Sequence, residues 1–398
     1  MLLKNDPSRG YMPYPAIKVA SARSGPLKGL KLAVKDLFDV EGYPTSAGSP
    51  HMLALSGVKK KSAAVVQKLL DAGAEFTGKT ITDELAFSLN GKNAHFGTPL
   101  NGGAKDRIPG GSSSGSASVV SNGLCDFALG TDTGGSVRAP ASHCGLYGLR
   151  PTHSRVSLKG AHDLAKSFDT CGWFARDAAT YARVADVLLG KDRKPLPAKP
   201  QLLLAQDYFD LLEEPVKKAL APAIKRLEKL YGKAQPVVAA PNGFDELYWA
   251  FRQLQGREAW EVDGAMITRY QPPLGAGVAD RFAYARSVTD AQVAASNIVR
   301  ERFTAAFAAL LGNNSVLILP TMADIAPKLT DSEADLESYR NRSLNMLCLS
   351  GLSRLPQLSM PLVKRLGAPL GLSILGPAGT DRSLVRVAEE LEQAAKGE

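Results

Sequence analysis

Two short stretches of this sequence concentrate residues that could do chemistry. Gly110-Gly-Ser-Ser-Ser-Gly-Ser-Ala-Ser118 is followed by Leu129-Gly-Thr-Asp-Thr-Gly-Gly-Ser-Val-Arg138-Ala-Pro140. Small residues let backbones and a ligand approach closely, and the paired glycines before Ser136 can turn several N–H groups toward one point. Such a turn can hold an anion, either a phosphate or the transient oxyanion of acyl transfer.

The surrounding residues weigh between these chemistries. A phosphate loop would carry G-x-x-x-x-G-K-[ST], and no lysine follows either glycine cluster at that spacing. Gly111-Ser-Ser-Ser-Gly115 satisfies G-x-S-x-G with Ser113 as nucleophile, but such an elbow follows a buried strand, and the residues before it are Ala104-Lys-Asp-Arg-Ile-Pro109. The order Ser, Asp, His would also have to finish by His162, the last histidine. A loop that merely packs tightly would explain the glycines, but not the serines, the Thr-Asp-Thr run and Arg138 together.

These stretches, with Gly145-Leu-Tyr-Gly-Leu-Arg-Pro-Thr152, Ala33-Val-Lys-Asp36 and Ser167-Phe-Asp-Thr-Cys-Gly-Trp-Phe-Ala-Arg-Asp177, resemble the amidase signature family. Residues 28–190 carry the resemblance most strongly. It implies a Ser-Ser-Lys triad in which Ser136 matches the nucleophile, Ser112 the bridging serine after a cis peptide, and Lys35 the base. Ser112 and Ser136 are 24 residues apart, which agrees with the family's usual spacing. It also implies an oxyanion site built from the N–H groups of Thr133, Gly134, Gly135 and Ser136. The implied fold is α/β, a mixed and largely parallel central sheet flanked by helices on both faces.

The residue types make physical sense beside the resemblance. A serine hydroxyl is a poor nucleophile at neutral pH, so its proton must be taken by a base. Burial disfavours a charged lysine, so Lys35 at the end of an apolar strand can be neutral and accept that proton through Ser112. Asp132 and Arg138 are expected to pair and hold the loop. Ser113, Ser114 and Ser116 are candidates for further loop hydrogen bonds.

Regular elements must position these groups. Leu30 to Phe38 reads as a strand. Ser62 is the expected cap of a helix with Val65, Val66, Leu69 and Leu70 on one face, and Asp177 that of another with Tyr181, Val184, Ala185 and Leu188. Leu202–Ala205, Val316–Pro320 and Leu370–Leu375 read as strands, and Leu384, Ala388, Leu391 and Ala395 mark a terminal helix. Residues 205–310 read as a mostly helical cover, with strands and a helix over 315–396. A single domain over 1–398 is the expected organisation.

Composition sets the outer bounds. The chain has 398 residues, 44% hydrophobic and 22% charged, which supplies a globular core and argues against disorder. The net charge of +9 gathers at Lys59-Lys60-Lys61 and around Lys191, Arg193, Lys194 and Lys199. Neither cluster has interleaved aromatics or a nucleic-acid-binding pattern, so both read as solvated surface and no nucleic-acid partner is expected. No apolar run approaches the ~18 residues of a membrane span and no signal-peptide core is present, so a cytoplasmic protein without a membrane partner is expected. Cys125, Cys144, Cys171 and Cys348 lack C-x-x-C spacing and read as buried free thiols. The histidines show no ligand spacing, so neither metal nor other cofactor is expected. A homodimer is left open.

The resemblance also bears on substrate. Ser88-Leu-Asn-Gly-Lys-Asn-Ala-His-Phe-Gly-Thr-Pro99 and the 167–174 segment are most similar to the plant indole-3-acetamide amidase branch and its short bacterial relatives. That implies hydrolysis of a small primary carboxamide of aryl-acetamide type, with Ala86 and Trp173 as substrate contacts. The alternatives are the glutaminase subunit of a tRNA-dependent amidotransferase and a non-catalytic docking protein of the same fold. Presence of all three triad residues speaks against the docking protein.

Overall fold

The computed structural model describes residues 6–396. Its strands are β1 (Lys31–Lys35), β2 (Glu75–Thr80), β3 (Phe127–Thr131), β4 (Tyr147–Arg150), β5 (Cys171–Ala175), β6 (Gln201–Ala205), β7 (Gln235–Val237), β8 (Ser315–Pro320), β9 (Gln357–Arg365) and β10 (Ala368–Leu375). They form a ten-stranded sheet in the order β2-β1-β3-β5-β4-β9-β10-β8-β6-β7, so residues from both ends of the chain share one layer. The mixed α/β class expected from the sequence is present. Parallel pairing, expected to prevail, is confined to the flanks: β2-β1-β3 on one side and β8-β6-β7 on the other. Antiparallel pairings run through the centre from β3 to β8.

β1 shows how the sheet positions chemistry. Leu32, Ala33 and Val34 are all fully buried, as in a parallel strand covered on both faces. The strand ends earlier than its apolar pattern suggests, because the Phe38 N–H donates to the Lys35 carbonyl and closes a turn. Lys35 therefore stands at the carboxyl end of β1. β1 lies parallel to β3, with Val34 opposite Leu129, and β3 runs directly into the loop at 132–136. The carboxyl ends of adjacent parallel strands are where α/β sheets place ligands.

The helices follow their apolar stripes. Val65, Val66, Leu69 and Leu70 are buried on the helix Ala64–Asp71. Its N-cap is Ala63 rather than the expected Ser62, whose hydroxyl instead accepts the Glu41 N–H. Asp177 caps the helix Ala178–Leu188 as expected, accepting the Thr180 N–H at 2.7 Å. In the helix Asp381–Lys396, Leu384, Ala388 and Leu391 are buried, whereas Ala395 is exposed in the last turn. Residues 205–310 are mostly helical, with long helices at Glu214–Tyr231, Phe244–Tyr270 and Asp290–Leu311. Among the described residues, no helix is long and apolar enough to cross a membrane.

Candidate active site

Lys35 and Ser112 meet in a site closed to solvent. Both side chains are fully buried, and Lys35 Nζ lies 2.8 Å from Ser112 Oγ and 2.8 Å from Thr131 Oγ1. The Gly111–Ser112 peptide is cis. The Ser112 carbonyl is held by the Asp83 N–H at 3.0 Å and the Thr82 hydroxyl at 2.9 Å. Gly111 must be glycine, since a Cβ there would sit 2.2 Å from Asp83 Oδ2. Burial draws the Lys35 ammonium down to about 7, against the pull of the carboxylates of Asp83, Asp132 and Asp169. A neutral amine is therefore accessible near neutral pH, within reach of one serine hydroxyl.

The second serine loop is tied beside the first. Ser113 N–H donates to the Ser136 carbonyl at 3.3 Å, and Ser136 is nearly buried. The Ser113 hydroxyl is turned into the fold, donating to the Thr131 carbonyl at 3.2 Å.

Asp132 organises the turn that leads to Ser136. One of its oxygens accepts the Gly135 N–H at 2.9 Å and Arg138 Nη2 at 2.8 Å. The other accepts the N–H groups of Val137 and Arg138, each at 3.2 Å, and Arg138 Nε at 3.0 Å. The expected Asp132–Arg138 pair is thus present, and Arg150 joins it: its Nη1 donates to the Asp132 carbonyl at 2.6 Å and to Oδ1 at 3.2 Å. Burial would raise the Asp132 carboxyl, but the guanidinium of Arg138 and then that of Arg150 outweigh it and hold it well below the usual carboxylate range.

This arrangement alters the expected anion site. Gly135 N–H is engaged by Asp132, so it is not free to meet an oxyanion. Among the described residues, the N–H groups of Thr133, Gly134 and Ser136 have no protein acceptor. The left-handed backbone of Gly135, φ 117°, makes the turn possible, and a Cβ there would meet Leu347 Cδ1 at 2.5 Å.

A narrow cavity, with room for about one water molecule, lies over Ser136 and Gly134. Its apolar wall is Ala86, Phe87, Leu89 and Leu344, and its polar side is Ser88, Gln255 and Arg340. Ser88 also borders a wider cleft of about 600 Å³ that reaches Arg252, Arg281 and Glu337. Ala86, expected as a substrate contact, is on this wall. Trp173 is not: its ring is fully buried, stacked on Tyr181 at 4.9 Å between centroids, with Nε1 donating to the Tyr181 carbonyl. β5 is covered on both faces, so an aromatic on it packs into core rather than into the cavity.

Several residues of the site escaped sequence reasoning. Arg150 and Asp169 lie inside stretches that drew notice, yet their charges carried no role. Asp169 holds the Thr133 hydroxyl at 2.6 Å and the N–H groups of Leu164 and Ala165, and burial raises its carboxyl to about 6. Asp83 had a signal in being an acidic residue beside an apolar run, Leu85-Ala86-Phe87. Gln255 and Arg340 had none, because they sit at ordinary positions of the helices Phe244–Tyr270 and Glu333–Ser353 and reach the cavity only through tertiary packing. The four cysteines are free and buried, and no group of three or more metal-ligating side chains occurs among the described residues.

The chain is similar to known proteins over most of its length. The Amidase family profile matches residues 16–385. Amidase 1 of Arabidopsis thaliana is 38% identical over 407 residues, covering 94% of this chain and 96% of that protein. The chloroplastic outer envelope protein 64 of Arabidopsis thaliana is 32% identical, covering 90% of this chain but 65% of that longer protein. A solved structure described as an amidase superposes with a TM-score of 0.83 at 30% identity, covering 93% of this chain and 85% of that one. With the family profile spanning nearly the whole chain and an amidase of similar length matching end to end, the chain belongs to the amidase signature family and is an amide-hydrolysing enzyme.

Proposed function

We propose that the enzyme hydrolyses small primary carboxamides of aryl-acetamide type to the carboxylic acid and ammonia, through an acyl-enzyme on Ser136. The observation that carries this reading is the buried Lys35–Ser112 contact of 2.8 Å beside the Ser136 loop. Ser136 Oγ attacks the amide carbon while Ser112 takes its proton and passes its own to neutral Lys35. The oxyanion is met by N–H groups of Thr133, Gly134 and Ser136. Collapse of the tetrahedral species breaks the C–N bond, and the proton returns through Ser112 to the leaving nitrogen as ammonia departs. Water then adds to the ester, giving up a proton by the same route, and the acid leaves Ser136 restored.

The aryl-acetamide assignment is supported by the likeness to Amidase 1 and by the apolar character of the wall of Ala86, Phe87, Leu89 and Leu344 beside Ser136. A small amide is the only partner this chemistry requires. Ammonia release from phenylacetamide, indole-3-acetamide, malonamate and glutamine tests the reading. The two aryl amides should give the higher kcat/KM. A best rate on malonamate or glutamine would remove the aryl-acetamide assignment and leave the serine–lysine chemistry standing.

A further inference from the structure

Arg340 does not fit a purely apolar acyl pocket. It is the only charged side chain among the described residues lining the cavity over Ser136, and it is 5% exposed. Its Nη1 donates to Glu337 Oε1 at 3.1 Å and to Asn341 Oδ1 at 3.4 Å, but its buried Nε–H has no partner. Its one ion-pair partner among the described residues, Glu337, does not serve it alone. Glu337 is shared with Arg281, which binds its other oxygen at 3.2 Å, and is partly exposed; Arg281 also carries a buried Nε–H without a partner. Arg252 adds a third guanidinium, which lies over the Tyr284 ring at 4.8 Å. A guanidinium stays charged in a protein interior, and a buried donor left unpaired is costly.

We infer that Arg340 is a specificity residue that binds an oxygen acceptor carried by the acyl group, so that the favoured substrates are aryl-acetamides bearing a carboxylate or carbonyl oxygen on the ring. This rests on the aryl-acetamide reading and refines it. The apolar wall meets the ring, while Arg340 supplies a donor that favours rings carrying an oxygen acceptor over rings of the same shape that end in carbon. A site built to hydrogen-bond a substrate group discriminates strongly against an analogue that lacks it.

Three amides of similar shape provide the test: (4-carboxyphenyl)acetamide, (4-acetylphenyl)acetamide and (4-isopropylphenyl)acetamide. In the wild-type enzyme the two oxygen-bearing amides should exceed the isopropyl compound in kcat/KM by about ten-fold or more. Arg340→Met should collapse that ratio, and Arg340→Gln is the second variant should the first not fold. A larger ratio for carboxyl than acetyl assigns the acceptor as an anion; equal ratios assign it as a neutral oxygen. Equal wild-type rates on all three, or a preference that persists without the arginine, overturn the inference. Cleavage of none of the three, by enzyme that a fluorophosphonate still labels at Ser136, overturns the aryl-acetamide reading itself.

Discussion

Lys35 Nζ and Ser112 Oγ lie 2.8 Å apart although the two residues are separated by 77 positions in sequence, and neither side chain reaches solvent. The contact exists because β1 and β3 are parallel neighbours, so the end of one strand and the loops around the end of the other share a corner of the sheet. A lysine in that corner has lost its hydration, and the Ser112 hydroxyl is its hydrogen-bond partner there, which is the contact the proposed proton relay rests on.

Single substitutions should separate the serines. Ser136→Ala should abolish amide turnover, and Ser112→Ala and Lys35→Ala should each lower kcat by about 10³-fold or more, the scale of general acid–base assistance with some loss of alignment. Ser113→Ala should keep activity within about ten-fold and lose about 1 kcal/mol of stability, because its hydroxyl serves the Thr131 carbonyl. Steady-state kinetics with ammonia detection and urea melts read both. An inactive Ser113→Ala beside an active Ser136→Ala would reassign the nucleophile.

Titration of Lys35 sets the acid limb. The base must be unprotonated, so kcat/KM should rise as pH increases through about 7 and fall away below it. The groups facing Lys35 are the carboxylates of Asp83, Asp132 and Asp169 and the thiol of Cys171. Each negative charge favours the ammonium, so Asp83→Asn should move the limb to lower pH. A pH–rate profile that stays in place while the variant remains active would detach Asp83 from the base.

The Asp132 network should dominate local stability. Asp132→Asn removes a buried charge while leaving Arg138 and Arg150 without their counter-ion, a loss of about 3–5 kcal/mol for a broken buried pair. Denaturant midpoints measure it. A loss below about 1 kcal/mol would mean that the loop is held chiefly by its backbone hydrogen bonds.

Two glycines should respond oppositely to alanine. Gly111→Ala places a methyl 2.2 Å from Asp83 Oδ2 and should cost more than ten-fold in activity, roughly the 1.4 kcal/mol or more that such overpacking imposes. Gly256→Ala, in the interior of the helix Phe244–Tyr270, meets nothing closer than 3.5 Å and should raise stability by up to about 1 kcal/mol. Thermal melts and kcat/KM on the two purified variants decide both outcomes.

The sequence was informative where chemistry is local and silent where it is assembled. Ser112, Ser136 and Asp132 sit in short glycine-rich segments whose composition is unusual for core, so the loops stood out, and the family resemblance implied which serines carry the chemistry. Trp173 was misplaced because β5 is buried on both faces, and an unalternating strand gives no sign of which side faces a cavity. Gly135 was counted with the anion donors because a turn's N–H groups cannot be apportioned before the acceptor inside it, Asp132, is seen. β9 was missed since Pro361 interrupts its pattern; the structure places that proline at the irregularity between the pairs Met360–Leu372 and Val363–Leu370. Arg340 is one arginine among many on an ordinary helix, and only tertiary packing brings it over Ser136.

The most direct test of the central claim is to label the native enzyme with a fluorophosphonate, digest it, and locate the modified residue by peptide mass spectrometry. The account requires stoichiometric label on Ser136, lost in Ser136→Ala and slowed in Lys35→Ala. Label on Ser112, Ser113 or any residue outside the 132–136 loop, or undiminished labelling of Ser136→Ala, would contradict it.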